Sequence, residues 1–580
     1  MGNKIQNNRF SKSLFGALAV FSVLLAVKNL IVVMGQAVPA LYEYTSRLKF
    51  TAIMGTTALF FAGVVWAWIK LRNAPARPMP APLTHPGKPE RVRRYALILF
   101  AAALALNLAF TFIVRPPAVS DFKSFYDVTN QIAGHRTSYL GKRYFQVWPY
   151  QTGFPAFMAP AAMLFPKNLD ALLVVNNLFG AGTVLCLFHL LKHALPVRRA
   201  FFLSLGFLLL PYPYTVAAVY TNQLPAAFFL YLGLYLVVSK TPFDLKRCAA
   251  GALCASAGHM LRPEGILLFG AVLALMPVLL FVRDKAGIKG RPVLPLALFC
   301  AVYLAMNLLL SQTFVLTGLN PGGLRNQFPL YKFAVGLNEE SAGQYTKADA
   351  DDLFRGYDEP AVRDQYAREL ISRRLSVGPG RLSSLFFRKL DALWTDQTKN
   401  FPAIGAFTED SEIHILVKNV QARTLKNVTA LADGLWFTLL FALCAFTAVR
   451  AFMVREVPAA LPLLAAFLLV SILAFSAVEV QRRYAYLLMP CIWLLAAMTR
   501  VPDCREAAIR NKIFDRGRGP RWGKWEGTEN DRENKKPFRV GQSPRPMRRR
   551  VGDDPVSDFG RDRRRTVGRP AGQSVDHHLS

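Results

Sequence analysis

The chain has 580 residues, 53% of them hydrophobic and 12% aromatic, with a formal net charge of +33. That balance excludes an ordinary soluble domain and suits a polytopic membrane protein. The positive charge suggests nucleic acid at first sight, but it concentrates in short loops between apolar runs and in a basic tail, so no nucleic-acid partner is expected.

Apolar runs of the length needed to cross about 30 Å of hydrocarbon recur over the first 500 positions. About twelve spans are predicted, near 14–35, 49–71, 95–114, 170–192, 200–217, 224–239, 248–261, 265–282, 292–311, 431–449, 458–476 and 485–499. The first run lacks a small-x-small cleavage site and a second span follows at once, so it reads as a signal anchor. Phe154–Phe165 is apolar but short and broken by proline, and reads as a re-entrant or interfacial helix. The predicted fold class is an all-α polytopic membrane protein of about twelve transmembrane helices with a helical extracytoplasmic segment.

Charge sets the orientation. Lys4, Arg9 and Lys12 precede the first span, and a cluster from Lys70 to Arg94 separates the second from the third. Lys192, Arg198 and Arg199, then Lys240, Lys246 and Arg247, then Arg283, Lys285, Lys289 and Arg291, then Arg450 and Arg455 mark further alternate loops. By the positive-inside rule these loops and both termini are cytoplasmic, in a plasma membrane. Loops 36–48, 115–169, 218–223, 262–264, 312–430 and 479–484 then face outward. The expected organisation is 1–94, two helices and a basic loop; 95–311, a catalytic membrane module with outer loop 115–169; 312–430, an extracytoplasmic segment; 431–500, the last helices; and 501–580, a basic tail. That tail is rich in Arg, Gly, Pro and Asp, and is predicted to be disordered and to touch anionic lipid headgroups.

The seven cysteines, Cys186, Cys248, Cys254, Cys300, Cys444, Cys491 and Cys504, have no metal-ligand spacing and form no disulfide framework. Among the histidines only His259, close to Arg262, stands out, against the plainer reading of a packed helix residue. There is no Walker, dinucleotide-binding or zinc motif, which removes ATP-driven transport and soluble redox chemistry from the leading readings.

Four outer elements carry candidate chemistry. The first is Ser120-Asp121-Phe122 after Pro116-Pro117, opening a loop with Tyr126, Tyr144, Trp148 and Tyr150. Asp121 reads either as a helix cap with Ser120 or as a base for an acceptor hydroxyl. Trp148 and Tyr150 read either as a headgroup belt or as pocket walls. The second is Tyr220-Thr221-Asn222-Gln223, where two amides serve either a tight turn or sugar hydroxyls. The third is Arg262-Pro263-Glu264-Gly265, either a structural ion pair or a phosphate grip. The fourth is Glu479-Val480-Gln481-Arg482-Arg483-Tyr484, whose two arginines run against the charge rule and point to an anionic ligand. In the outer segment, 349–375 reads as one or two amphipathic helices, and Arg388, Lys389 and Trp394 as a helix lying at the headgroups.

These elements, in this order, resemble the membrane glycosyltransferases of the GT-C superfold, specifically the protein O-mannosyltransferase-like family (glycosyltransferase family 39) and its bacterial branch. The resemblance covers about residues 95–500. It rests on Ser-Asp-Phe at Asp121, Trp148-Pro149-Tyr150, the Thr-Asn-Gln and Arg-Pro-Glu-Gly turns, the Glu479–Tyr484 signature, and Val335-Gly336-Leu337-Asn338 with Gly343 and Asp349. It implies a GT-C-like fold and transfer of a sugar, expected to be a hexose, from a polyprenyl-phosphate donor to an extracytoplasmic acceptor hydroxyl, with inversion. The partners it implies are that sugar lipid, the surrounding membrane lipids, and an acceptor that is a protein or a cell-envelope polymer.

The family's base maps to Asp121. Arg262 with Arg483 or Arg482 is assigned to the donor phosphate, and Tyr126, Trp148, Tyr150, Asn222, Gln223, Glu264, Glu479, Gln481 and Tyr484 to substrate contacts. Many relatives carry a second acidic residue where this chain has Asn222-Gln223, and a lysine where it has Arg262. No cofactor is therefore assigned. A divalent metal ion, used by some relatives, is left open, with Glu264 and Glu479 as its available carboxylates. The rival readings are a transporter or flippase, against which stand the missing internal repeat and the gathering of polar residues at one face, and a non-catalytic assembly partner.

Overall fold

In the computed structural model, the residues described are 4–43, 45–73, 89–240, 243–280, 293–354, 359–394, 403, 407, 411–415, 418–454 and 456–499. The expectations for the tail 501–580, for Cys504 and for the basic residues of 74–88 and 281–292 lie outside them.

Nearly every apolar run becomes a helix. The first is α1 (Arg9–Val32), continued through a π-helical turn, Val33–Ala37, to Glu43. Then come α2 (Arg47–Asn73), α3 (Pro89–Val114), α4 (Ser120–Ala133), α5 (Gly153–Leu164) and α6 (Leu169–Ala194). The middle holds α7 (Val197–Phe207), α8 (Tyr212–Ala217), α9 (Gln223–Val238), α10 (Leu245–Leu261), α11 (Ile266–Leu280) and α12 (Val293–Leu316). The segment that follows forms α13 (Pro329–Gly336), α14 (Lys347–Phe354), α15 (Pro360–Leu375) and α16 (Pro379–Trp394). Last come α17 (Ala422–Met453), α18 (Ala460–Ala477) and α19 (Met489–Ala497).

The protein is helical and polytopic. Among the described residues seven helices are long and apolar enough to cross a membrane: Arg9–Glu43, Arg47–Lys70, Pro89–Val114, Leu169–Ala194, Val293–Leu316, Ala422–Met453 and Ala460–Ala477. The run at 200–217 splits at Leu208–Pro211 into α7 and α8, because Pro211 cannot continue the ladder. The runs over α9 and α10 form helices of 16 and 17 residues, at the short limit for a straight crossing, and the run 265–282 reaches the end of the described residues at Leu280.

Small residues set the closest helix contacts. A β-carbon at Gly233 of α9 would lie 2.8 Å from the carbonyl of Gly251 in α10, and one at Gly251 2.9 Å from that of Gly233. Such close backbones are how apolar helices gain dispersion where lipid offers no hydrophobic drive. The irregular stretch around α8 is held by side chains: Asn177 Nδ2 donates to Ala217 O (3.1 Å) and Asn176 Nδ2 to Thr221 O (3.0 Å). His259 pairs with Tyr303 Oη at 3.0 Å across α10 and α12, so it is a packed helix histidine.

Two short antiparallel ladders complete the fold. Lys4–Gln6 pairs with Glu456–Pro458, and Glu412–Ile415 with Lys418–Gln421. The first brings the N-terminal segment against the loop after α17.

The segment after α12 is not a surface decoration. Phe328, Tyr331, Ala334, Val335, Leu353, Ala367 and Leu370 form a small core of their own with Val147. Residues 349–375, read as one or two amphipathic helices, fall in α14 and α15. The headgroup helix expected around Arg388 is corrected: α16 buries Lys389 at 1% and Trp394 at 0% exposure against the helical core.

Candidate active site

Loops far apart in sequence meet around one cavity of about 1030 Å³. Asp121 enters it from the first turn of α4. After Pro116 and Pro117 the chain re-enters helix at Ser120, whose φ of +50° lies in the left-handed region. A non-glycine residue there costs about 1–2 kcal/mol, a strain that persists only where the surroundings impose it. Val119 is the helix N-cap and no side chain caps it, so the capping alternative for Asp121 is not what the structure shows. Its Oδ2 instead accepts from Arg483 Nη2 at 2.5 Å, across 362 residues. Burial pushes the Asp121 carboxyl up, but the Arg483 guanidinium, with Lys332 and Arg262 behind it, outweighs this and holds it below its usual range.

Arg262 ends α10 in an extended conformation, just before the 3-10 turn Pro263–Gly265. It grips Glu264 with two nitrogens, Nε to Oε2 at 3.1 Å and Nη2 to Oε1, and donates from Nη1 to Asn222 Oδ1 at 2.9 Å. Asn222 is itself fixed by donating to Leu261 O at 3.0 Å. The Arg262 guanidinium also lies over the Tyr484 ring, 5.2 Å from its centroid. The structural ion pair and the cavity position therefore coexist in one residue.

A third pair was not anticipated. Lys332 of α13 meets Glu479 Oε2 at 2.6 Å, while Glu479 Oε1 accepts from Gln481 Nε2 (2.6 Å) and Tyr484 Oη (3.3 Å). The main chain registers the two segments, since Glu479 N donates to Lys332 O at 2.8 Å. Burial alone would lower the Lys332 pKa; the Glu479 carboxylate reverses this and raises it, so the amine stays charged. Lys332 also sits 5.7 Å from the ring centroids of both Trp148 and Tyr331.

The motif Val335–Asn338 with Gly343 and Asp349 builds this register. Gly336 leaves no room for a β-carbon, which would come within 2.3 Å of the Val478 carbonyl carbon. Gly343, at φ +70°, accepts from Val480 N at 2.9 Å. Asn338 Nδ2 donates to Asp349 Oδ2 at 2.7 Å, and Arg374 holds the other oxygen at 2.6 Å. Beneath them the Lys389 ammonium donates to Gly336 O (2.8 Å), Ser476 O (2.8 Å) and Val478 O (2.7 Å).

Of the residues singled out in the sequence, Asp121, Trp148, Tyr150, Asn222, Arg262, Glu264, Glu479, Gln481, Arg482, Arg483 and Tyr484 border the cavity. Two do not. Tyr126 faces the other side of α4 and donates to Lys167 O at 2.7 Å. Gln223 is buried at 1% exposure at the start of α9, behind Asn222. Arg482 also departs from its assignment, for its guanidinium turns into the helical core. There it donates to Leu393 O and lies over Tyr212 (4.6 Å) and Phe437 (4.9 Å).

Sequence reasoning missed Lys332, Tyr331, Tyr345 and Phe354, which the outer segment contributes. Lys332 left one signal, as the sole charged residue between Arg325 and Glu339 in an aromatic and apolar run. The opposite flank is apolar, formed by Ile266 and Leu267 of α11 and Ala474 and Phe475 of α18.

A divalent metal does not fit this donor set. Among the described residues no three His, Cys, Asp or Glu side chains gather as a metal site needs, and Glu264 and Glu479 already face cations.

No protein-family model matches the sequence, and no curated protein matches it either. Solved structures with a similar fold include the archaeal oligosaccharyltransferase AglB from Archaeoglobus fulgidus, in complex with an inhibitory peptide and a dolichol-phosphate. It is 15% identical with a TM-score of 0.39, over 74% of this chain and 52% of that one. This chain thus spans about half the length of that oligosaccharyltransferase. ArnT from Cupriavidus metallidurans, bound to undecaprenyl phosphate, is 15% identical with a TM-score of 0.33, over 70% of this chain and 77% of that one.

Proposed function

We propose that this chain is an integral membrane glycosyltransferase, GT-C-like in fold. It moves a sugar, expected to be a hexose, from a polyprenyl-phosphate donor to an acceptor hydroxyl on the extracytoplasmic side, with inversion. The observation that carries this reading is the meeting of one carboxylate, Asp121, with the cations Arg483, Lys332 and Arg262 in a single aromatic-walled cavity beside apolar helices.

The chemistry follows from those groups. The acceptor oxygen attacks the anomeric carbon while its proton passes to the Asp121 carboxylate. The bond from that carbon to the phosphate oxygen breaks, and the electron pair leaves on the lipid phosphate, whose growing charge Arg483 and Lys332 stabilise. Arg262 is fully engaged by Glu264 and Asn222, so its part is to fix the floor of the cavity and add positive potential. Trp148, Tyr150 and Tyr144 supply flat faces for the sugar ring. The outer segment, through Lys332, Tyr345 and Phe354, covers the cavity and bears on the choice of acceptor. The lipid phosphate is already an activated leaving group, so no nucleotide is required.

The test is transfer of radiolabelled sugar from polyprenyl-phosphate hexoses in membranes containing the full chain, wild type against Asp121→Asn. Loss of a base predicts a fall of about 10²–10⁴-fold with insertion unchanged. Equal transfer by both proteins would remove Asp121 from catalysis. No transfer by either, across several sugars and acceptors, would favour transport or scaffolding.

A further inference from the structure

Resting on that reading, one difficulty points to a specific device. Three of the cations that line the cavity are already paired with carboxylates: Arg262 with Glu264, Lys332 with Glu479, and Arg483 with Asp121. Arg143, at the exposed rim, donates to Phe354 O and packs on its ring, and Arg482 turns into the core. A donor phosphate that binds beside Asp121 therefore shares or displaces a carboxylate. The three pairs differ in how firmly they are closed. Glu264 is gripped by two nitrogens of Arg262, whose remaining arm holds Asn222. Glu479 is almost fully buried and has three partners. Asp121 and Arg483 share one contact, their side chains are 24% and 21% exposed, and the buried Arg483 Nε has no hydrogen-bond partner.

We infer that the Arg483–Asp121 pair is a latch opened by the donor's phosphate: the phosphate takes the guanidinium, and the freed carboxylate becomes the base. In the closed state Asp121 is a poor proton acceptor, because a charge-assisted bond favours its ionised form. With Arg483 turned to phosphate, the carboxylate loses that partner and gains a neighbouring anion, and both changes raise its proton affinity. Base strength then appears only when donor is bound. No bond is made or broken in this step; Arg483 exchanges one anion for another.

The sign of the linkage follows. The pKa of Asp121 is lowered in the free protein and rises on binding, so binding takes up protons between the two values. The other groups bearing on Asp121 are Lys332 on α13, Arg262 on the turn after α10, Tyr144 on the short helix Arg143–Val147, and Tyr345 between α13 and α14. Of the three cations, Arg483 is the one bonded to it.

The experiment is calorimetry of polyprenyl monophosphate, which carries no sugar to transfer, binding to the full chain in lipid nanodiscs at about pH 5, just above the ordinary carboxylate range. Two buffers of different ionisation enthalpy reveal proton uptake. The expected results are greater uptake by wild type than by Asp121→Asn, and about tenfold tighter binding by the variant, because its amide no longer competes for Arg483. That factor corresponds to about one pKa unit of coupling. Weaker or equal binding by a folded Asp121→Asn overturns the latch. Should Asp121→Asn fail to fold, Asp121→Ser takes its place in the same comparison, which cancels the proton that the phosphate itself, with a second ionisation at about pH 6, sheds on meeting cations. A wild type that transfers sugar but takes up no more protons than the folded variant overturns only the latch; one that neither binds nor transfers overturns the glycosyltransferase reading with it.

Discussion

Arg482 and Arg483 are neighbours in sequence and belong to different parts of the molecule. Arg483 faces the cavity and holds a carboxylate. Arg482 turns the other way, donates to a main-chain carbonyl and packs on two aromatic rings at 1% exposure. Lys389 belongs with Arg482, for its three acceptors are all backbone carbonyls. A cation paired with a carboxylate at a cavity wall is able to change partners when an anion arrives. One enclosed by main-chain carbonyls has no such freedom, because those carbonyls would be left buried and unpaired. The cavity wall is therefore built for exchange, and the layer beneath it for fixity.

Breaking the fixed layer is expected to have the largest effect. Lys389→Met removes the donor to three main-chain carbonyls and should cost about 3 kcal/mol, at about 1 kcal/mol for each bond, read as a fall in melting temperature in detergent. Unchanged melting would place Lys389 with the exchangeable cations. Arg483→Gln acts on the other layer. It should lower transfer by about 10²–10³-fold, as the loss of a charge-stabilising donor does, with melting moved little. A melting loss as large as that of Lys389→Met would erase the distinction.

Gly336→Ala tests the joint between the layers. Its β-carbon has no room against Val478, so about 1–3 kcal/mol of overpacking is expected, along with slower transfer as the Glu479 segment shifts. Smallest is Ser120→Gly. Relief of the left-handed strain, partly offset by glycine's extra freedom in the unfolded chain, should raise stability by about 0.5 kcal/mol. A loss of stability would mean that the serine side chain itself holds the turn.

Much of the cavity was legible because its residues break the local rules of a membrane sequence. Asp121 behind a proline pair, Arg262-Pro-Glu264, and the adjacent arginines Arg482 and Arg483 between two apolar runs each stand out against apolar neighbours. Tyr126 and Gln223 show the limit of that signal. Each is polar and in the right loop, yet one turn of helix aims Tyr126 at Lys167, and the packing of α9 buries Gln223 behind Asn222. Lys332 shows the converse, a cavity cation from a segment whose pattern spoke only of helices. Helix ends show the same limit: hydropathy registers apolar content, while Pro211 decides where the helix in the run 200–217 stops.

By itself, the sequence determined what depends on composition and period: a helical, membrane-embedded chain, the sidedness expected of its loops, and the short polar turns that carry charge. Only the tertiary structure decided which charges meet. Pairing Asp121 with Arg483, or Lys332 with Glu479, joins residues 362 and 147 positions apart. Such contacts are set by how helices pack and where their ends fall, and no local periodicity records them. The same holds for the opposite fates of Arg482 and Arg483, which a single residue's turn of backbone separates into a core strut and a cavity wall.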